Sequence, residues 1–307
     1  LDLRTDNWDL GPSPVALQLD VGSLRHVDAI RRYANPALRK PTAIVAFEGW
    51  SDACNAASGA VRHLLDRLDI NEPFAALEPE EFYDFQEHRP MVSIVNGRVD
   101  AMTWPELRFF AAERPEHERD LIMVIGDEPT LRWKTFARTL TQVLTDADVE
   151  SVLVLGAYIG PVTHSHPVPL GGVATDAAML DTSGLVASDY HGATGIVSVL
   201  AEACREVGLP AMSIWAATPH YLAASPNPMA MRALLQAAGR IAGFEGDDKE
   251  LRSMEAEFVS RVDDAVSSSS DLAEYIEELA AQTADNDLDP QRVPELVDEI
   301  EQFLKDV

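Results

Sequence analysis

The sequence predicts an α/β fold built on a mostly parallel sheet with helices on both faces, and three observations carry that expectation. Continuously apolar runs of five to seven residues recur along the chain, and such runs suit strands buried on both faces. Segments of helical periodicity alternate with them, the pattern of repeated β-loop-α units. The 307 residues are 46% hydrophobic, enough for a large core that needs neither disulfides nor metals as staples.

Residues 1–40 show no strong period, and Gly11-Pro12-Ser13-Pro14 marks a loop. This segment is expected to be an arm packed on the body. The first strand is Thr42 to Phe47, ending at Glu48-Gly49-Trp50. Ser51 or Asp52 is placed to cap the helix that follows, whose apolar face is Ala57, Ala60, Val61, Leu64, Leu65 and Leu68. The unit recurs: Leu121 to Ile125 ends in Gly126-Asp127-Glu128-Pro129, and a helix over 131–146 follows, with Trp133 a packing residue. Ser151 to Leu155 ends in Gly156-Ala157-Tyr158. A helix over 194–207, stopped by Gly208, precedes the fourth strand, Ala211 to Ala217. Pro226-Asn227-Pro228 then opens another helix, with Pro228 in its first turn.

One segment breaks the alternation. Met91 to Val95 and Arg98 to Met102 flank Asn96-Gly97, a pair that suits the type I′ turn of a hairpin because both positions need positive φ. A hairpin inserted in an α/β body is expected to project, covering a surface or pairing with another subunit. After Gly243 the composition turns acidic, and helices are expected at 248–266, 271–283 and 291–305. The predicted organisation is therefore an arm over 1–40, a core over 41–243 carrying a hairpin at 91–103, and an acidic helical unit over 244–307.

The formal net charge is −27, a field that repels phosphate backbones and anionic lipid surfaces. Nucleic-acid and membrane partners are accordingly not expected. Residues 245–307 hold 20 Asp and Glu against 5 Lys and Arg, a net of −15 in that segment. No apolar stretch reaches the length of a membrane span, and Leu1 to Asp9 lacks the pattern of a secretory signal. Cys54 and Cys204 lie in apolar helical contexts and read as small buried hydrophobes of a reducing compartment, so a cytoplasmic location is expected. Cys54 also lies near a helix start, where a thiolate is favoured, which keeps a nucleophilic reading open.

The phosphate-binding, dinucleotide, nucleophile-elbow, zincin and paired-cysteine motifs are all absent. What remains is a set of polar residues at strand ends, where open α/β sheets bind ligands. Glu48, Asp52 and Asn55 follow the first strand, and Asp127 and Glu128 the second. Tyr158, His164 and His166 follow the third, and His220 and Tyr221 the fourth. Glu48 and His220 are the candidate catalytic acid/base groups; Asp52, Asn55, Asp127, Tyr158, His164, His166 and Tyr221 are candidate ligand-binding groups. The alternative for Asp52 is a helix cap, and for Glu48 a bond to the turn amides. In an extended segment His164 and His166 would share one face, but no third metal ligand is apparent, so neither metal nor cofactor is expected.

Six blocks in order resemble the bacterial branch of the proteasome assembly chaperone family, type 2. They are Ala43-Ile44-Val45-Ala46-Phe47-Glu48-Gly49-Trp50-Ser51-Asp52-Ala53, Glu81-Phe82-Tyr83-Asp84-Phe85, Gly126-Asp127-Glu128-Pro129 with Leu131-Arg132-Trp133, Gly156-Ala157-Tyr158 through Pro169, Tyr190 through Ile196, and Trp215 through Tyr221. The resemblance covers about residues 40–240; a departure is Cys54, where relatives often carry Gly. It implies a three-layer αβα core like that of phosphorylases and peptidyl-tRNA hydrolases, a homotrimer joined through the hairpin, and an acidic helical lid over the strand-end cleft. Eukaryotic relatives assemble proteasome α rings, so the resemblance implies a binding or assembly-chaperone-like protein with protein partners. The strand-end residues keep a second reading open, a small-molecule hydrolase or phosphorylase-like enzyme.

Overall fold

The structure is a computed structural model that describes residues 29–222, 226–268 and 270–285. In chain order its strands are β1 (Ile30–Arg32), β2 (Thr42–Glu48), β3 (Ala75–Leu77), β4 (Met91–Val95), β5 (Arg98–Thr103), β6 (Leu107–Ala112), β7 (Leu121–Asp127), β8 (Ser151–Gly160), β9 (Leu170–Ala174), β10 (Val186–Ala187) and β11 (Ala211–Pro219). The helices are α1 (Ala56–Arg67), α2 (Trp133–Asp146), α3 (Ala177–Ser183), α4 (Ile196–Glu206), α5 (Pro228–Ala242), α6 (Lys249–Ser267) and α7 (Ser270–Asp285).

Nine strands form one sheet in the order β1-β3-β6-β7-β2-β8-β11-β9-β10. The four apolar runs are its middle, β7-β2-β8-β11, and all four are parallel. Outside them the joins β1–β3, β3–β6, β6–β7 and β11–β9 are antiparallel, and only β9–β10 is parallel. The sheet is thus mixed, which corrects the expectation of a mostly parallel one. The reason lies in the connections: a parallel step needs a crossover of a dozen or more residues, whereas the short links at 113–120 and 161–169 turn the chain back. At the β6–β7 join Gly126 permits close approach, since a Cβ there would stand 2.0 Å from the carbonyl oxygen of Glu106. Residues of the expected arm form β1 and seal one sheet edge against β3; residues 1–28 lie outside the described residues.

Side chains alternate across the central strands. Ile44 and Ala46 face α1 and α5, among Ala57, Leu64, Leu234 and Leu235. Ala43, Val45 and Phe47 face α2 and α4, among Phe136, Leu140, Ile196 and Leu200. Burying each such large aliphatic side chain contributes roughly 1.5–3 kcal/mol. Phe136 meets the edge of Phe82 with ring centroids 5.2 Å apart at 83°.

β4 and β5 form a separate two-stranded ribbon. Its turn residues Asn96 and Gly97 have φ of 52° and 73°, which only a residue tolerant of the left-handed region adopts cheaply. Every residue of both strands is exposed. At the ribbon base Phe85 meets Trp104 edge-on, with centroids 4.8 Å apart.

In the acidic C-terminal stretch Asp248 Oδ1 accepts from the Leu251 amide at 2.7 Å and caps α6. Its Oδ2 lies 2.6 Å from His63 Nε2 on α1. Arg232 on α5 pairs with Asp247 at 2.9 Å and with Glu255 on α6 at 2.6 Å. Leu251, Phe258 and Val262 are the buried side of α6. The helix expected over 291–305 lies outside the described residues. Among the described residues no helix is long and apolar enough to cross a membrane.

Candidate functional site

The loop leaving β2 turns sharply before α1. Cys54 and Asn55 are both left-handed, with φ of 55° and 48°, a conformation that glycine adopts freely and asparagine tolerates better than cysteine. The Asn55 side chain makes no capping bond, and the residue is exposed. The cap comes instead from Asp52, whose Oδ1 accepts from the amides of Ala57 at 2.7 Å and Ser58 at 3.1 Å. Its Oδ2 is buried without a hydrogen bond, as is Ser51 Oγ. Burial pushes the Asp52 carboxyl above its usual range, against the Ser58 hydroxyl and the two amides.

Glu48 and Asp127 are register partners at the ends of β2 and β7, on the face covered by α1. Arg62 of α1 forms an ion pair with Glu48. Burial pushes the Glu48 carboxyl up against the pull of Arg62, with Asp127 and Asp52 adding to the rise. Burial likewise raises Asp127. The turn-amide role weighed for Glu48 falls to Glu128: its Oε2 accepts from the Trp50 amide at 3.2 Å and its Oε1 from the Ile196 amide at 2.8 Å. Glu128 thereby caps α4, whose N-cap is Gly195 and carries no capping side chain.

The histidines form a second group at the ends of β8 and β11. The extended segment expected at 164–166 is a turn, so the two imidazoles part: His164 is buried and His166 exposed. The Tyr221 hydroxyl accepts from the His164 amide at 2.9 Å and lies 2.7 Å from His164 Nδ1. His164 Nε2 reaches Asp263 on α6 at 3.1 Å. The Tyr221 hydroxyl thus bridges the amide and the ring of His164. His166 Nδ1 lies 2.8 Å from Thr163 Oγ1. His220 Nε2 lies 2.8 Å from the Tyr275 hydroxyl on α7, and burial lowers the His220 pKa. Tyr158 is 37% exposed, and its carbonyl accepts from Thr218 Oγ1 at 3.0 Å.

The structure thus brings Glu48, Asp52 and Asp127 together, and separately His164, His220 and Tyr221. β8 stands between β2 and β11, so Glu48 and His220 belong to strands that do not adjoin. The Cys54 thiol donates to the Leu222 carbonyl at 3.0 Å and burial raises its pKa, the reverse of an activated nucleophile. Among the described residues no three His, Cys, Asp or Glu side chains are grouped to hold a metal ion.

The raised carboxyls fix a sign. A carboxyl whose folded pKa is raised stabilises the fold below its unfolded value and loses that contribution as pH rises through the folded value. At neutral pH the Asp52 charge is therefore a burden and its capping oxygen an asset. Asp52→Asn is expected to hold or raise the melting temperature at pH 7, whereas Asp52→Ala costs about 1 kcal/mol through the lost cap. Equal losses in the two variants, by thermal denaturation, would show that the charge itself is needed.

Comparison with known proteins adds a lineage to this geometry. A family model described as the PAC2 family matches residues 46–266. A PAC2 family protein from Streptomyces avermitilis is 41% identical, with 77% of this chain and 99% of that one covered at a TM-score of 0.71. A proteasome-assembly chaperone homologue from Mycobacterium tuberculosis is 35% identical, with 76% and 99% covered and the same TM-score, 0.71. An archaeal proteasome activator from Pyrococcus furiosus shares the fold at 18% identity and a TM-score of 0.62, with 77% and 97% covered. No curated protein matches the chain.

Proposed function

Because this chain belongs to the PAC2 family, we propose that it is an assembly-chaperone-like binding protein, acting as a homo-oligomer, a trimer, joined through the β4–β5 ribbon. The observation that carries the reading is the ribbon itself. Met91, Ile94 and Val99 are 72%, 63% and 64% exposed, and Val92, Val95 and Met102 are about half exposed. A lone two-stranded hairpin is marginal in water, and a contiguous apolar surface of this kind marks an interaction site. The kinship with a proteasome-assembly chaperone homologue supports a protein as the partner class. In this reading α6 and α7 form a lid across the ends of β8 and β11.

The enzyme alternative, a hydrolase or phosphorylase-like activity, draws less support from the geometry. Glu48 is held by Arg62 and His220 by Tyr275, in separate clusters. The two readings part in one experiment: sedimentation mass of the purified chain, with a thermal-shift screen against nucleosides, nucleotides, sugars and amino acids. A stable oligomer that responds to none of them is the expected result. A monomer stabilised by a ligand would overturn it, and a ligand at 100 times its Kd gives about 2.7 kcal/mol. Loss of that shift in Glu48→Gln or His220→Ala would establish the small-molecule reading instead.

A further inference from the structure

Four rings stand in a row where the C-terminal helices meet the sheet. Tyr275 of α7 meets His220 edge-on at 5.5 Å and 88°; His220 meets Tyr221 at 5.5 Å and 90°; Tyr221 meets His164 at 5.8 Å and 81°. His220 Nε2 lies 2.8 Å from the Tyr275 hydroxyl. The row thus runs from α7 through the end of β11 to His164, which Asp263 ties to α6.

The two helices are held very differently. α6 is capped by Asp248, tied to α5 through Arg232–Glu255, and buries Leu251, Phe258 and Val262. α7 follows after two residues and, among its described side chains, buries only Ile276 and Leu279, at 7% and 6% exposure. A 16-residue helix has little stability of its own in water. Among the described contacts of α7, that of Tyr275 with His220 reaches the strand ends.

We propose that Tyr275 is the latch of the C-terminal unit: its ring and hydroxyl, seated on His220, hold α7 over the strand ends, and losing that contact frees α7 while α6 stays docked. The inference rests on the reading of α6 and α7 as a lid, and adds that the lid opens at the junction between them. The open state bares the ring of His220 beside Tyr221. Tyr275 then acts as a gate on His220, whose described partner on the lid is a phenol where that of His164 is a carboxylate.

Hydrogen–deuterium exchange on the full chain tests it, since local opening is read amide by amide. In the wild type α7 is expected to be protected. Tyr275→Phe keeps the ring row and loses the hydroxyl, so α7 amides are expected to exchange about 2- to 12-fold faster. Tyr275→Ala loses both, and roughly 5- to 150-fold is expected, with α6 and the central strands unchanged. Alanine is a better helix former than tyrosine, so an effect on the helix alone would run the other way. His220→Ala approaches the contact from the core side and is expected to free α7 to a similar extent. Unchanged α7 protection in Tyr275→Ala, or equal loosening of α6, would overturn the latch and leave the lid standing. Wild-type α7 exchanging as fast as an undocked helix would overturn the lid and the latch together.

Discussion

Ile94→Glu combined with Val99→Glu is expected to convert the proposed oligomer to a monomer at micromolar concentration while leaving the melting temperature of the chain within about 2 °C. The ribbon register sets the choice. Ile94 faces Val99 and Val92 faces Met102 across the strands, and the shift between Ser93 and Ile94 leaves Asp100 as the extra residue of β5. The bulge keeps Val92, Ile94, Val99 and Met102 on one face, because side chains two apart on a strand share a side. All four are exposed, so within one chain two carboxylates there bury nothing and strain nothing. Between chains the same carboxylates would be desolvated without partners. Anchors of an interface each carry about 2 kcal/mol or more, so two lost anchors weaken assembly roughly a thousandfold. Sedimentation velocity reads the mass and circular dichroism the melting curve. A variant that keeps the oligomer places the interface elsewhere; one that melts far lower shows that the ribbon supports its own chain.

How much of this was legible in the sequence follows from how local each determinant is. The four central strands and helices α1, α2, α4, α5, α6 and α7 are written as runs and periods of their own residues and begin near where the sequence puts them, although β8 runs on to Gly160, five residues past its apolar run. β3 spans three residues and β10 two, too short to show any period, and they exist because a neighbouring edge offers unpaired amides. That is why the flanks of the sheet, and its antiparallel joins, were not foreseen. In the site, Asp52 as cap was readable from its place before an apolar helix face. Glu128 as cap of α4 had a weaker signal, a helix opening on Gly195-Ile196 with no side chain to satisfy its first amides. The partners of the histidines had none: Asp263 lies 99 residues from His164, and Tyr275 lies 55 from His220, and only packing brings them together.

Phe136→Ala is expected to cost about 3–5 kcal/mol and, in a chain of this size, to lower the melting temperature by roughly 10 °C. Phe136 is fully buried on the inner side of α2, between the edge of Phe82 and the ring of Phe47 at 6.1 Å. No small movement of α2 closes the gap, because Leu140 and Leu144 on the same helix are also buried in that core. The loss travels further than stability. The Phe82 carbonyl accepts from the amides of Thr130 and Leu131, at 3.0 Å each, and Thr130 Oγ1 accepts from the Asp84 amide at 2.6 Å. Those bonds fix the turn that leads the chain into the ribbon, so loosening Phe82 loosens the ribbon base as well. Phe136→Ala is therefore expected to lower both the melting temperature and the oligomer fraction below that temperature, whereas the ribbon variants lower only the second and the Tyr275 variants neither. Phe136→Leu restores most of the volume and is expected to recover most of both. If Phe136→Ala melts within about 2 °C of the wild type, the aromatic cluster is not the support of the ribbon, and the coupling between core and assembly argued from Phe82 is wrong.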